Sequence, residues 1–346
     1  GIDDAQGIAW IAASDDPRQR HIWRVALDGT SPPAQASQGD GQHAVTAARD
    51  ADVAVIQSVL ADGSRTSRVI KGGVESGRLP SVAEPPPYLP VVEYATARIG
   101  DRDHRAAIVW PRSRRAGERY PVIVDVYGGP HANHVTMNPY TYLIDQWMAD
   151  AGFAVVRIDG RGTPGRGRAW ERAIKNDLVT IPIADQADGL AALALDHPEL
   201  DTSRVGITGW SFGGYMSAMA VMLRPDVFHA SVAGAPVTDW RDYDTFYTER
   251  YMSLPGTNAA GYDTGSALTQ ADKLARPLLL VHGTTDDNVY FLHTLKLTQA
   301  LFRAGKPFEL LPLAGFTHMV PDPLVKTRLY GRIIDFMRAH LATPQT

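Results

Sequence analysis

Six short apolar runs alternate with helical patterns over the later part of the chain, and this alternation limits the fold more than any other feature. The runs are "YPVIVDVYGG", "FAVVRIDGRG", "RVGITGW", "ASVAGAP", "RPLLLVHG" and "FELLPLAG". Each is continuously apolar rather than alternating, as expected of strands buried on both faces. Between and after them, "IADQADGLAALALDH", "HTLKLTQALFRAG" and "LYGRIIDFMRAHL" space their apolar residues at helical period. Strands alternating with helices predict an α/β fold, a mostly parallel doubly wound sheet with helices on both faces. At 346 residues and 44% hydrophobic composition, the chain can bury a core of that size.

The earlier part reads differently. "QGIAWIAAS", "RHIWRVALDG", "HAVTAARDADVAVIQSVL" and "SRTSRVIKGG" are rich in β-branched and aromatic residues. Asp-Gly pairs at Asp28-Gly29 and Asp62-Gly63 mark tight turns between them. Strands at this spacing suggest a sandwich or propeller blades, and at about four strands per blade the segment holds one to two blades. The proline-rich "LPSVAEPPPYLP" that follows is expected to be extended. We therefore expect a partial β-propeller over residues 1–84 and an α/β domain over residues 85–346. An incomplete propeller leaves strand edges and one apolar face uncovered.

Composition removes several functional classes. A formal net charge of −4 gives no electrostatic case for nucleic acid or an anionic membrane. The basic run "PRSRRAGERY" is expected to be a solvated turn before a strand. The chain has no cysteine, which excludes disulfides, thiol catalysis and cysteine-ligated metal. No apolar run is long enough to span a bilayer. No signal peptide is visible, and a targeting segment would lie upstream of the abrupt start at "GIDDAQGIAW". His131 and His134 form "HANH", which lacks the glutamate of a zinc-binding H-E-x-x-H, so no metal is expected there. "DGRGTPGRGR" lacks the phosphate-loop lysine pattern and is expected to shape a loop over the active edge.

The chemistry centres on Gly209-Trp210-Ser211-Phe212-Gly213, a G-x-S-x-G between the strand "RVGIT" and the helix "YMSAMAVML". In that context the serine sits on a strained turn that exposes its hydroxyl, and the glycines remove side chains that would clash. The N–H of the next residue, Phe212, points at a developing oxyanion. A serine hydroxyl needs a base oriented by an acid. In α/β-hydrolases the chain order is Ser, Asp, His. Asp286 and Asp287 follow the strand "LLLVHG", and His318 follows "FELLPLAG". All three positions lie past the carboxyl ends of parallel strands, on the edge where such sheets bind ligands. The pattern does not choose between the two aspartates.

Several motifs in order resemble the prolyl oligopeptidase family of serine peptidases, and within it the dipeptidyl peptidase IV group. They are "DVYGGP", "DGRG", "GWSFGGYMS", "TDWRDYDTFYTERYM" and "HGTTDDNV". The resemblance runs from about Tyr120 to His318 and implies an α/β-hydrolase domain capped by an N-terminal propeller. It also implies Ser211 as nucleophile, Asp286 as the acid, His318 as base, and the Tyr127 hydroxyl beside the Phe212 amide as oxyanion donors. A proline pocket is implied at Phe212, Val237, Trp240, Tyr243, Tyr247 and Val289, with Asn288 binding the carbonyl before the scissile residue. Its chemistry is consistent, because an aromatic box suits a compact apolar ring.

By this resemblance the expected activity is that of a serine exopeptidase releasing N-terminal X-Pro or X-Ala dipeptides through an acyl-enzyme, with no metal or organic cofactor. Expected partners are oligopeptides with proline in second position and the rest of the propeller, and the family implies a homodimer and, for bacterial relatives, the periplasm. The chain departs from the family in having no adjacent glutamate pair to hold the substrate ammonium, no placeable propeller arginine to share carbonyl binding, and Phe212 where many relatives have tyrosine. We expect a C-terminal portion of a longer protein rather than a naturally short variant, because a one-blade stub could not bury its faces. The alternatives are an acylaminoacyl peptidase or carboxylesterase of the same fold, and a non-catalytic interaction protein, against which the intact Ser, Asp and His weigh.

Overall fold

The computed structural model describes residues 1–4, 6–49 and 51–342. The chain divides into two compact units, Gly1–Val92 with Val135–Ile144, and Glu93–His134 with Asp145–Thr346. The first unit thus runs past residue 84, and it includes an excursion from the middle of the chain. That excursion is tied in by specific contacts. The Met137 N–H donates to the Arg18 carbonyl at 2.8 Å. The Tyr140 hydroxyl donates to the Gly63 carbonyl at 2.8 Å, and the Arg65 guanidinium lies 3.4 Å above the Tyr140 ring. The sequence around Met137 carries no period that would reveal this.

The first unit contains two antiparallel four-stranded sheets, each in chain order. One comprises β1 (Ile2–Asp3), β2 (Ile8–Ala13), β3 (His21–Ala26) and β4 (Ala34–Gln35); the other β5 (Gly41–Ala47), β6 (Val53–Leu60), β7 (Arg65–Lys71) and β8 (Val74–Arg78). The Asp62-Gly63 turn joins β6 to β7 as expected, with the Asp62 carboxylate accepting the Ser64 N–H at 2.8 Å. Ile8, Trp10 and Ile22 from the first sheet and Ala54, Ile56 and Ile70 from the second form one apolar cluster. β8 is exposed along its whole length. Residues 79–91 have no regular structure, in keeping with their prolines.

The second unit is built on one eight-stranded sheet. Its strands are β9 (Val92–Ile99), β10 (Arg102–Val109), β11 (Tyr120–Asp125), β12 (Ala154–Asp159), β13 (Leu200–Trp210), β14 (Ala230–Gly234), β15 (Leu278–Gly283) and β16 (Glu309–Leu313). The helices are α1 (Leu143–Asp150), α2 (Arg168–Glu171), α3 (Thr180–Asp196), α4 (Phe212–Leu223), α5 (Thr245–Met252), α6 (Ala259–Thr264), α7 (Leu292–Arg303) and α8 (Pro323–Leu341). The sheet order is β16-β15-β14-β13-β11-β12-β10-β9. The six strands expected from the apolar runs are mutually parallel. The sheet as a whole is mixed, because β10 pairs antiparallel with β12 and β9 extends the edge. Charged residues in "RDHRAAIV" mask the apolar pattern of β10, which is why this pair is not legible as a buried run.

Helices cover both faces of this sheet. Gly206 of β13 faces α8: a Cβ there would lie 2.5 Å from the Met337 sulfur. Its neighbours Val205 and Ile207 point the other way and join the cluster containing Leu190 of α3 and Met216 of α4. After β11 the chain first adds β12 on one side and later β13 on the other. The order reverses between β11 and β13, which opens a crevice at their carboxyl ends. Among the described residues, no helix is long and apolar enough to cross a membrane.

Candidate active site

Two segments flank this crevice, the one leaving β11 and the one leaving β13. Ser211 stands between β13 and α4 at φ 61° and ψ −117°, a left-handed conformation that costs a non-glycine residue free energy. Its side chain makes no cap hydrogen bond, so it is not an ordinary helix-capping serine. The Ser211 N–H instead donates to the Gly234 carbonyl at 2.8 Å. The elbow also explains its glycines. A Cβ on Gly213 would sit 2.1 Å from the Val126 carbonyl oxygen, and one on Gly214 would sit 2.1 Å from that of Gly234. The turn is therefore wedged between the ends of β11 and β14. The Phe212 N–H is the first of α4, where helix geometry supplies no intrahelical acceptor.

His318 lies in the loop between β16 and α8, and its Nδ1 is 2.8 Å from Asp286 Oδ2. The other Asp286 oxygen accepts the Asn288 and Val289 N–H groups, both at 2.9 Å. The carboxylate side chain is fully buried and the imidazole 15% exposed. Asp287, by contrast, is exposed. The fold thus brings Asp286 to the histidine and turns its neighbour to solvent. Asp286 holding Nδ1–H leaves His318 Nε2 as the free, basic nitrogen.

Two residues that sequence reasoning passed over hold this arrangement. The Trp210 indole N–H donates to the His318 carbonyl at 2.8 Å, tying the histidine loop to the strand that carries Ser211. His282, wholly buried, places Nε2 3.2 Å from Asp286 Oδ2 and 2.8 Å from the Val289 carbonyl. Burial lowers its pKa, so it is neutral. A carbonyl can only accept, so Nε2 carries the proton and Nδ1 accepts from the Thr294 hydroxyl at 2.7 Å. The aromatic before Ser211 and the histidine closing "LLLVH" were the available signals. Neither reveals a partner that lies far along the chain.

Tyr127 follows β11, with its ring centroid 5.7 Å from that of Phe212. Burial pushes its hydroxyl up to about 12, so it remains a proton donor at neutral pH. Behind it lies a buried ionic cluster that the sequence did not suggest. Arg157 bonds Asp125 at 2.8 Å and Asp145 at 2.7 Å. Burial, reinforced by Asp125, pushes Asp145 up to about 7, whereas the Arg157 guanidinium holds Asp125 below its ordinary value against its own burial. His134 is held down to about 4 by burial and by Arg157. The two histidines of "HANH" face different partners: His134 this cluster, and His131 the Tyr251 hydroxyl at 2.6 Å.

The expected pocket residues converge beside the elbow. Trp240 stacks on Tyr247 at 6.0 Å and 14°, while Tyr243 stands edge-on to Tyr247 at 5.4 Å. Phe212 lies 5.6 Å from Trp240. Val237, Trp240, Phe212 and Val289 are buried, and Tyr243 and Tyr247 are part-exposed. The Tyr243 hydroxyl donates to Asn288 Oδ1 at 2.8 Å. That bond occupies the acceptor end of the amide and leaves its N–H groups available to donate. The "DGRG" loop is fixed by Arg161, which pairs with the buried Asp185 at 2.6 Å. Burial would raise Asp185, but hydrogen bonds from His104 and Arg161 hold it down to about 2.

Comparison with known proteins agrees with this geometry. Residues 139–343 match the prolyl oligopeptidase family. Dipeptidyl peptidase 8 of Homo sapiens is 46% identical over 218 residues, 62% of this chain and 24% of that protein. The probable dipeptidyl-aminopeptidase B of Coccidioides posadasii is 30% identical over 97% of this chain and 38% of its own length. Among solved structures, dipeptidyl peptidase 4 of Porphyromonas gingivalis superposes with a TM-score of 0.89 at 29% identity, over 99% of this chain and 49% of that one. The chain therefore spans half or less of the length of these relatives. With the elbow, the strand order and the family match in agreement, this chain belongs to the prolyl oligopeptidase family, and its larger unit has the α/β-hydrolase fold.

Proposed function

We propose that the chain carries the catalytic machinery of a serine-type dipeptidyl peptidase that releases X-Pro or X-Ala dipeptides. Ser211 attacks the carbonyl of the second residue as His318 accepts its proton, and Asp286 orients and stabilises the imidazolium. The Tyr127 hydroxyl and Phe212 N–H receive the developing oxyanion. His318 returns the proton to the leaving amine, and water then hydrolyses the acyl-enzyme by the same route in reverse. The observation that carries the substrate assignment is the box of Phe212, Trp240, Tyr243 and Tyr247 beside the elbow, with Asn288 held at its rim. Such a box admits a proline or alanine side chain and excludes longer ones.

On the same reading, the two four-stranded antiparallel sheets are two blades of a propeller. The absence of an adjacent glutamate pair from this chain fits an ammonium anchor carried elsewhere in the protein. The test compares Gly-Pro-anilide with its N-acetylated form. Cleavage of the free amine, reduced by about 10⁵-fold or more in Ser211→Ala, is the expected result. Cleavage of the blocked form alone overturns the dipeptidyl assignment in favour of an acylaminoacyl peptidase or esterase. Turnover unaffected by Ser211→Ala overturns the mechanism.

A further inference from the structure

Next to the aromatic box lies a cavity of about 590 Å³ that the mechanism does not use. Pro130 and His131, Gly162 and Pro164 of the glycine-rich loop, and Tyr251 form part of its wall. Four cations line it: Arg168, Arg172, Lys175 and Arg250, against one carboxylate, Glu171. All four are exposed, and none has a carboxylate within ion-pair distance among the described residues. Glu171 is turned to the loop, where it accepts the Gly165 N–H at 3.0 Å.

The wall is built rather than incidental. Arg168 and Arg172 are four residues apart on one helical turn and its continuation, so they share a face. The Trp170 indole N–H donates to the Gly160 carbonyl at 3.1 Å, which fixes α2 on the loop. Asn176, just past Lys175, donates its N–H to the Tyr251 carbonyl at 2.8 Å. Its side chain also accepts from the Ser253 hydroxyl at 2.9 Å. Both Asn176 and Ser253 hold left-handed backbone to make that clasp. The mutual repulsion of the four cations is relieved when the cavity takes an anion.

The cavity and the box share a wall. The His131 ring is 5.3 Å from that of Tyr247, and its Nε2 meets the Tyr251 hydroxyl. Two residues of extended peptide, ~7 Å, cover such a separation. We infer that this cavity binds a carboxylate of the peptide substrate, so that the enzyme favours acidic peptides; this rests on the peptidase reading above. Guanidinium groups match a carboxylate in geometry as well as charge. The same charges disfavour the substrate ammonium here, so the amine anchor lies elsewhere.

The experiment measures kcat/KM for Gly-Pro-Ala-Ala-amide and three acidic counterparts: Asp-Pro-Ala-Ala-amide, Gly-Pro-Asp-Ala-amide, and Gly-Pro-Ala-Ala with a free carboxyl terminus. At least one acidic peptide is expected to exceed the neutral one by about tenfold, and which one does identifies the source of the carboxylate. The ratio should fall towards one in Arg168→Gln/Arg172→Gln, and in about 0.5 M salt, where exposed charges are screened. Equal values for all four peptides, with Gly-Pro-anilide still cleaved, overturn the inference and leave the peptidase reading standing. Should the anilide not be cleaved, calorimetric binding of the same four peptides to Ser211→Ala decides the matter without turnover. A preference for the acidic peptides supports the cavity's role, and its absence refutes it.

Discussion

The two units spend their backbones differently. Among the described residues, the first unit places positive φ only at glycines, such as Gly29 and Gly63 in the tight turns. The second holds five non-glycine residues there: His131, Asn176, Ser211, Ala235 and Ser253. Their positions are informative. Ser211 is the elbow itself, and Ala235 follows the Gly234 carbonyl that receives the elbow's N–H. His131 stands on the wall between the box and the cationic cavity, and Asn176 and Ser253 clasp behind that cavity. One unit is regular pairing over a small shared core. The other uses a larger core to hold side chains in positions the backbone would not choose. Strain of this kind persists only where surrounding packing over-determines it.

The sharpest way to break this contrast is at the acid. On the proposed mechanism Asp286→Asn lowers kcat by about 10⁴-fold, because the amide no longer holds the correct imidazole tautomer. Asp287→Asn, one residue along and exposed, changes kcat less than about twofold. Steady-state kinetics of the pair tests whether position in space, not proximity in sequence, assigns the role. Comparable losses in both would contradict the geometry.

Next in size is Tyr127→Phe, expected to lower kcat by about 10²–10³-fold with little change in fold stability. The raised pKa adds a pH signature. A tyrosine at its ordinary value is half ionised at about pH 10, whereas Tyr127, pushed up to about 12 by burial, keeps its proton there. The alkaline limb of kcat should therefore show no loss assignable to this hydroxyl below about pH 11. A fall near pH 10 that disappears in Tyr127→Phe would show that the hydroxyl is not buried as described.

A smaller effect is expected at Trp210. Trp210→Phe keeps most of the ring and removes the N–H that grips the His318 carbonyl. We expect kcat to fall about 3–30-fold with KM nearly unchanged, since the loss of one neutral hydrogen bond is about 0.5–1.5 kcal/mol and histidine placement adds to it. A change in KM alone would argue that the indole packs against substrate instead. The smallest effect on catalysis belongs to the first unit. Ile56→Ala empties a fully buried site in the shared cluster of the two sheets. It should cost about 2–5 kcal/mol of stability in denaturant unfolding while kcat at 25 °C stays within about twofold. A large kcat loss would show that the two units are not separable in the way their backbones suggest.

Much of the second unit is legible in the sequence because its signals are local. The buried parallel strands announce themselves as unbroken apolar runs. The elbow shows in glycines that have no room for a Cβ, and the helices in their apolar period. The edge pair β9–β10 escaped because Arg102, Asp103, His104 and Arg105 interrupt the apolar pattern, even though His104 ends up fully buried against Asp185. The chain by itself determined which strands are central, where the Ser211 turn falls and which histidine follows the last strand. The residue pattern left Asp286 and Asp287 open and the family resemblance pointed to Asp286; the tertiary structure decided that Asp286 meets His318, that Trp210 grips the histidine loop, and that Arg168, Arg172, Lys175 and Arg250 gather on one cavity. These outcomes depend on how distant strand ends stack across the sheet. A contact between residues a hundred positions apart is set by packing and register, which no short window of sequence contains.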